Sequence, residues 1–160
     1  MRFPVILLAV LAALPSGCGA GGVPAEMPAT VATGAALPRV PVTLATAGGV
    51  HIIQAEVART ADQQARGLMF REALAPDQGM IFPMAPARPA SFWMKNTLIP
   101  LDIIFIRADG SIARIAERTT PHSLDPIESG EPVAAVLEIA GGRAQAIGLS
   151  ENDRVSWPQP

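Results

Sequence analysis

Leu101-Asp-Ile-Ile-Phe-Ile106 is apolar on both sides of an extended chain. Successive side chains in a strand point to opposite faces. Leu101, Ile103 and Phe105 therefore share one face, and Asp102, Ile104 and Ile106 the other. A strand that is apolar on both faces has to be covered on both, so this run belongs at the centre of the fold. It carries Asp102 inward with it, and a buried carboxylate is costly unless something bonds it. Just upstream, Ser91-Phe-Trp-Met-Lys-Asn96 supplies Trp93 and Lys95. A Trp, a Lys and an Asp so close to one apolar run suggest that all three are buried together.

The flanking segments read as short strands with tight turns. Val40, Val42 and Leu44 alternate with Pro41 and Thr43, as in an edge strand, because proline cannot donate to a ladder. Ala47-Gly48-Gly49 is a turn, and Val50 to Ala58 alternates again, which predicts a hairpin. Thr60 with Gln63 matches a capping box, and Gly67 fits a helix C-cap. The spacing predicts a helix over Thr60–Arg66, Leu68-Met69-Phe70 entering the core, and a second helical turn at Arg71–Leu74. Met80-Ile81-Phe82 is a strand, and Pro83, Pro86 and Pro89 predict a loop after it. Asn96 to Pro100 is an irregular connection. Ala108-Asp109-Gly110-Ser111 is a hairpin turn into a strand at Ile112–Glu117. Pro121 to Pro132 reads as a polar surface loop. Val133–Ile139 is a strand, Gly141–Gly148 a short helix and Arg154–Trp157 a last strand. The expected class is mainly β (α+β), a compact sandwich or barrel-like antiparallel sheet with two or three short helices.

The first residues read differently. Met1-Arg2 is a positive start, and Phe3 to Leu14 is an apolar run too short to span a bilayer stably. Small residues from Ser16 to Ala20 follow, the pattern of a secretory signal at 1–20. Cys18, the single cysteine of the chain, sits where bacterial lipoproteins are lipidated, although Pro15 replaces the usual Leu three residues before it. Cleavage after Ala20 with release of a soluble protein stays open beside it. Residues 21–39 are rich in Gly, Ala, Pro and Thr with no hydrophobic period, as in a flexible linker. The globular domain is expected over 40–158. Export to the periplasm or outer envelope follows, with membrane attachment only through a lipid at Cys18.

Composition narrows the function. A formal charge of −2 gives no electrostatic footprint for nucleic acid. One cysteine permits no internal disulfide. Aromatics are only 4% of the residues, so Met69, Met80, Met84 and Met94 read as core filling rather than copper ligands. His51 reads as an ordinary edge residue. No nucleophile elbow, phosphate-binding glycine loop or metalloprotease motif is present, and no cofactor or metal is expected. Gly141-Gly142 at a helix start could receive an anion, but close helix–strand packing explains the pair more simply.

Four runs carry a resemblance: Arg66-Gly-Leu-Met-Phe-Arg71, Gly79-Met-Ile-Phe82, Phe92-Trp-Met-Lys-Asn-Thr97 and Pro100-Leu-Asp-Ile-Ile-Phe105. Val136-Leu137-Glu138 followed by Gly141 completes it. From about Val40 to Trp157 the chain resembles the bacterial and archaeal family known as domain of unknown function 192. Asn152-Asp153 departs from the family's usual Gly-Asp before the last strand. The resemblance implies a compact, mostly β domain with short helices, and no known activity.

The strongest site candidates are charges on apolar faces. Asp102 and Glu138 each need a partner, and Arg66 and Lys95 are the cations nearest to hand, with the backbone N–H groups of Asn96 to Ile99 a further choice for Asp102. Arg66, Trp93, Lys95, Asn96, Asp102 and Glu138 thus form either a buried charge cluster that holds the fold together or a ligand pocket. Two function classes follow: a non-catalytic module for a small ligand or envelope partner, which we expect, and a hydrolase or transferase using Asp102 or Glu138 with Lys95 or Arg66.

Overall fold

A computed structural model describes residues 36–158. Seven strands form one sheet: β1 (Arg39–Thr46), β2 (Gly49–Val57), β3 (Gln78–Phe92), β4 (Leu101–Ile106), β5 (Ile112–Ala116), β6 (Ile127–Ala140) and β7 (Arg154–Ser156). Their order across the sheet is β5-β4-β6-β3-β2-β1-β7, and the sheet curls into a half-barrel. Ser111 at the start of β5 bridges to Arg154, so the two edges meet at one end. Two short helices, α1 (Ala61–Arg66) and α2 (Arg143–Ala146), complete the fold. The mainly β class expected from the sequence is the one observed.

One pairing departs from antiparallel. β2 and β3 run parallel, with Ala55 opposite Gly79 and Val57 opposite Ile81. Parallel neighbours need a crossover connection, and α1 with the turns after it provides one. Thr60 accepts from the Gln63 backbone while the Gln63 side chain accepts from Thr60, which closes the predicted capping box. Arg71–Leu74 is irregular rather than helical.

β4 is buried along its whole length, as its two-faced sequence requires. One face of the sheet packs Ile81, Ile104, Leu137 and Ile139 against α2 and the β1–β2 hairpin. The other packs Met80, Phe82, Ile103, Phe105 and Val136. All of Met80, Met84 and Met94 are buried in that second layer.

Two predicted loops are strand. β3 continues through Pro83, Pro86 and Pro89 to Phe92, with register breaks against β6 at Pro83/Arg88 and Pro89/Ser91. The breaks accommodate residues that cannot donate ladder bonds. β6 begins at Ile127, inside the expected surface loop. Phe70 is exposed rather than in the core. Asn152 has φ 71°, the left-handed conformation in which Asn is tolerated next best after Gly, so the departure from the family's Gly-Asp turn leaves the turn intact. The leader, Cys18 and nearly all of the expected linker lie outside the described residues.

Candidate functional site

The register of the three central strands separates the two carboxylates. Asp102 pairs with Ile139, and Glu138 with Ile103. Adjacent positions in a strand point to opposite faces, so Asp102 and Glu138 lie on different sides of the sheet. They do not form one cluster.

Asp102 is fully buried and fully bonded. Its Oδ1 accepts from the backbone N–H of Arg118 at 2.7 Å and of Gly142 at 2.9 Å, and its Oδ2 from Ala144 at 2.8 Å. Arg118 at φ 47° and Gly142 at φ 86° aim their N–H groups inward, a conformation that suits the glycine. The glycine pair thus does receive an anion, and the anion is the chain's own carboxylate. Gly141 serves the packing role, since a Cβ there would lie 2.9 Å from Pro100. The expected partners of Asp102 were Lys95, Arg66 or the backbone of Asn96–Ile99. None of them bonds it, since its oxygens are taken by Arg118, Gly142 and Ala144. Asp102 is a structural bolt between β4, the end of β5 and α2.

Lys95 and Trp93 are exposed, against the expectation of shared burial. The Lys95 ammonium lies over the Trp93 ring, 5.1 Å from its centroid. Asn96, at φ 56°, accepts through its carbonyl from the Phe70 N–H and donates through Nδ2 to the Met69 sulfur. It joins the turn after α1 to the connection after β3.

The opposite face holds a second row of residues. Ile103, Glu138, Met80, Glu56 and Arg39 stand opposite one another across β4, β6, β3, β2 and β1. Glu56 and Glu138 thus share a face, two strand spacings (about 10 Å) apart. Their surroundings are opposite in character. Glu56 is clasped by both arms of Arg71, with Nη1 at 3.0 Å, and by Arg39 at 3.2 Å. The Arg71 guanidinium, helped by Arg39, holds its carboxyl below the usual range. Glu138, on the far side of Met80, is 5% exposed and has no side-chain hydrogen bond or ion pair among the described residues. Burial pushes its carboxyl up to about 8.

Glu138 lines a cleft of about 350 Å³ on this face. Phe82, Met84, Phe92 and Trp93 from the β3 segment form one wall, and Leu68 and Met69 the other. Phe82 and Phe92 pack edge to face at 5.1 Å, which holds that wall rigid. Arg66, from the last turn of α1, and Arg88, from β3, line the same cleft with exposed side chains. Of the residues named in advance, the structure brings Arg66, Trp93 and Glu138 into one cleft, and sets Asp102, Lys95 and Asn96 outside it. Arg88 was missed because it sits among prolines that read as loop. The Glu56–Arg71 pair was missed because Glu56 shares a strand face with Ile52 and Gln54, a face that reads as solvent-facing.

Residues 42–157 match the model of domain of unknown function 192, an uncharacterized ACR family. The chain belongs to this family. It is also similar to two solved structures of relatives. One, from Sinorhizobium meliloti 1021 and provisionally named a transcription regulator, is 43% identical with a TM-score of 0.74, over 76% of this chain and 95% of that one. The other, a protein of unknown function from Novosphingobium aromaticivorans DSM 12444, is 41% identical with a TM-score of 0.74, over 89% of this chain and 100% of that one. No curated protein matches the chain.

Proposed function

We propose that this DUF192 domain is a non-catalytic binding module for a small molecule, and that the cleft over Glu138 is its site. One observation carries the reading. The Glu138 carboxyl is buried beside an open cleft of mixed polar and apolar lining, without a hydrogen-bond or ion-pair partner among the described residues. Buried polar groups in folded proteins are nearly always bonded, and a pocket with few converging polar groups is the usual form of a ligand site. A group this deep is within reach of a small molecule but not of a protein surface, which favours a small ligand over an envelope partner. Among the described residues, the charged groups lining the cleft are Arg66, Arg88 and Glu138. Hydrolysis by paired carboxylates needs a second acid or base beside the first, and Asp102 lies behind the sheet. Binding therefore suits this geometry better than a hydrolase or transferase.

The site can be blocked from its rim. Ala65 is exposed and lines the cleft, so Ala65→Trp fills it without disturbing the core. Mass spectrometry of small molecules retained from a cell extract should show a species enriched on the wild-type domain and lost on Ala65→Trp. Equal retention by both, or none by either, overturns the reading.

We also propose export. The Met1-Arg2 start, the apolar run to Leu14 and the small residues to Ala20 support it, and Cys18 marks the residue for a lipid.

A further inference from the structure

The cleft is charged at two places, with aromatic and aliphatic surface between them. At the floor stands Glu138, with Met80 and Ile103 on either side of it in the sheet. At the mouth stand Arg66 and Arg88, both exposed, and neither pairs with a carboxylate among the described residues. The walls between carry aromatic rings and thioethers, with Gln64, Ser91 and Thr97 among them. Each part selects a different chemical group. A desolvated carboxylate is stabilised by an ammonium brought within contact, since the opposite charge replaces the lost water. Aromatic faces add to the attraction for an ammonium. Guanidinium groups bind carboxylate or phosphate through paired N–H donors. An anion alone would leave the floor unpartnered, and a cation alone would have to pass two arginines.

Resting on the reading of the cleft as a ligand site, we infer that its ligand is a small zwitterion with an apolar body, whose ammonium meets Glu138 and whose acidic group meets Arg66 and Arg88. A proton balance follows. At neutral pH the buried Glu138 carboxyl holds its proton. An ammonium binding beside it drives that proton into solvent, and the carboxylate remains paired with the ligand. Among the described residues, the charged groups that line the cleft beside Glu138 are Arg66 of α1 and Arg88 of β3.

The test uses four probes with the same six-carbon body: 6-aminohexanoate, hexylamine, hexanoate and hexanol. Binding is read from the Met84 methyl and Trp93 indole resonances of the domain, and proton release by calorimetry in buffers of different ionisation enthalpy. 6-Aminohexanoate should bind at least about tenfold tighter than each of the other three, one good charge pair sufficing for that factor. It should release close to one proton at pH 7. Glu138→Gln should erase both the proton release and the preference for the amine-bearing probes. The double variant Arg66→Gln, Arg88→Gln, which alters only exposed side chains, should erase the preference for the acid-bearing ones. If hexanol or hexanoate binds wild type as tightly as the zwitterion, or Glu138→Gln keeps the preference, the inference fails while the cleft remains a binding site. If none of the four moves either resonance, the inference and the reading beneath it both fail.

Discussion

At the scale of single residues, the three buried carboxylates show how the same group is handled in three ways. Asp102 is held by backbone, Glu56 by arginines and Glu138 by nothing in the described chain. Each implies a measurement. Asp102→Ala takes the acceptor from three backbone N–H groups, that of Ala144 fully buried, and hydrogen bonds to a charged group contribute about 1.5–3 kcal/mol each. The variant should lose at least about 3 kcal/mol of stability in urea unfolding, while Glu117→Ala, at an exposed position, should change little. An unchanged midpoint for Asp102→Ala would show that the three bonds contribute nothing.

Glu138 gives the opposite signature, in pH. Its carboxyl rises from 4.5 in the unfolded chain to about 8 in the fold. Between those values the native state keeps a proton that the unfolded chain has released. The contribution is whole below pH 4.5 and is lost as pH climbs through about 8. The ceiling is on the order of 5 kcal/mol, at about 1.4 kcal/mol per pH unit. Glu56, whose carboxyl is lowered, acts at the acid end and leaves this window undisturbed. Glu138→Gln should therefore flatten the decline between pH 5 and pH 8 and raise the midpoint above wild type at pH 8. Parallel curves for the two proteins would mean that Glu138 is solvated or paired.

Among the elements, β3 decides the site. Like β2 it pairs parallel on one side and antiparallel on the other, and it supplies most of the cleft's aromatic wall. Gly79, at its start, lets β2 and β6 close on it. A Cβ there would stand 2.5 Å from the Glu138 carbonyl oxygen, 3.0 Å from Ile53 and 3.2 Å from Ile139. Two of those neighbours are packed core side chains and the third is backbone, so relief requires the strands to part. Gly79→Ala should cost about 1–3 kcal/mol, the usual range for overpacking a core, and should shift amide resonances of Glu138 and Ile139. Wild-type stability in this variant would mean that the strands yield freely. The glycine of the Gly79-Met-Ile-Phe run is thus a spacer that sets where the Glu138 backbone lies.

For the whole molecule, the curled sheet makes one face a closed core under α2 and the other a face with an open cleft beside α1. The proposal of export belongs at this scale. Intact mass of the protein from membrane and periplasmic fractions should show a new N-terminus at or just after Ser16–Ala20, and Cys18→Ala should leave the membrane fraction. A chain that still begins at Met1 would refute export, and a Cys18→Ala protein that stays on the membrane would refute the lipid anchor.

Much of this was written in the order of the residues. The two-faced apolar run Leu101–Ile106 made β4 central, alternation gave the β1–β2 hairpin, and the Thr60/Gln63 box with Gly67 bounded α1. These are local properties: side-chain period, capping chemistry and conformational preference act within a few residues of one another. The family was legible for the same reason, since its motifs are contiguous runs. What the sequence could not show was pairing. Asp102 meets N–H groups 16, 40 and 42 residues away in the chain. The register of β4 against β6 sends it and Glu138 to opposite faces. A one-residue change of register would exchange those faces, and no local property of either strand records the difference. Composition and spacing brought Asp102, Glu138, Arg66 and Lys95 together as one cluster. Only the tertiary structure could divide them into a sealed bolt on one side of the sheet and an unpartnered carboxyl in a cleft on the other, because burial and bonding are properties of what the rest of the chain places around a residue.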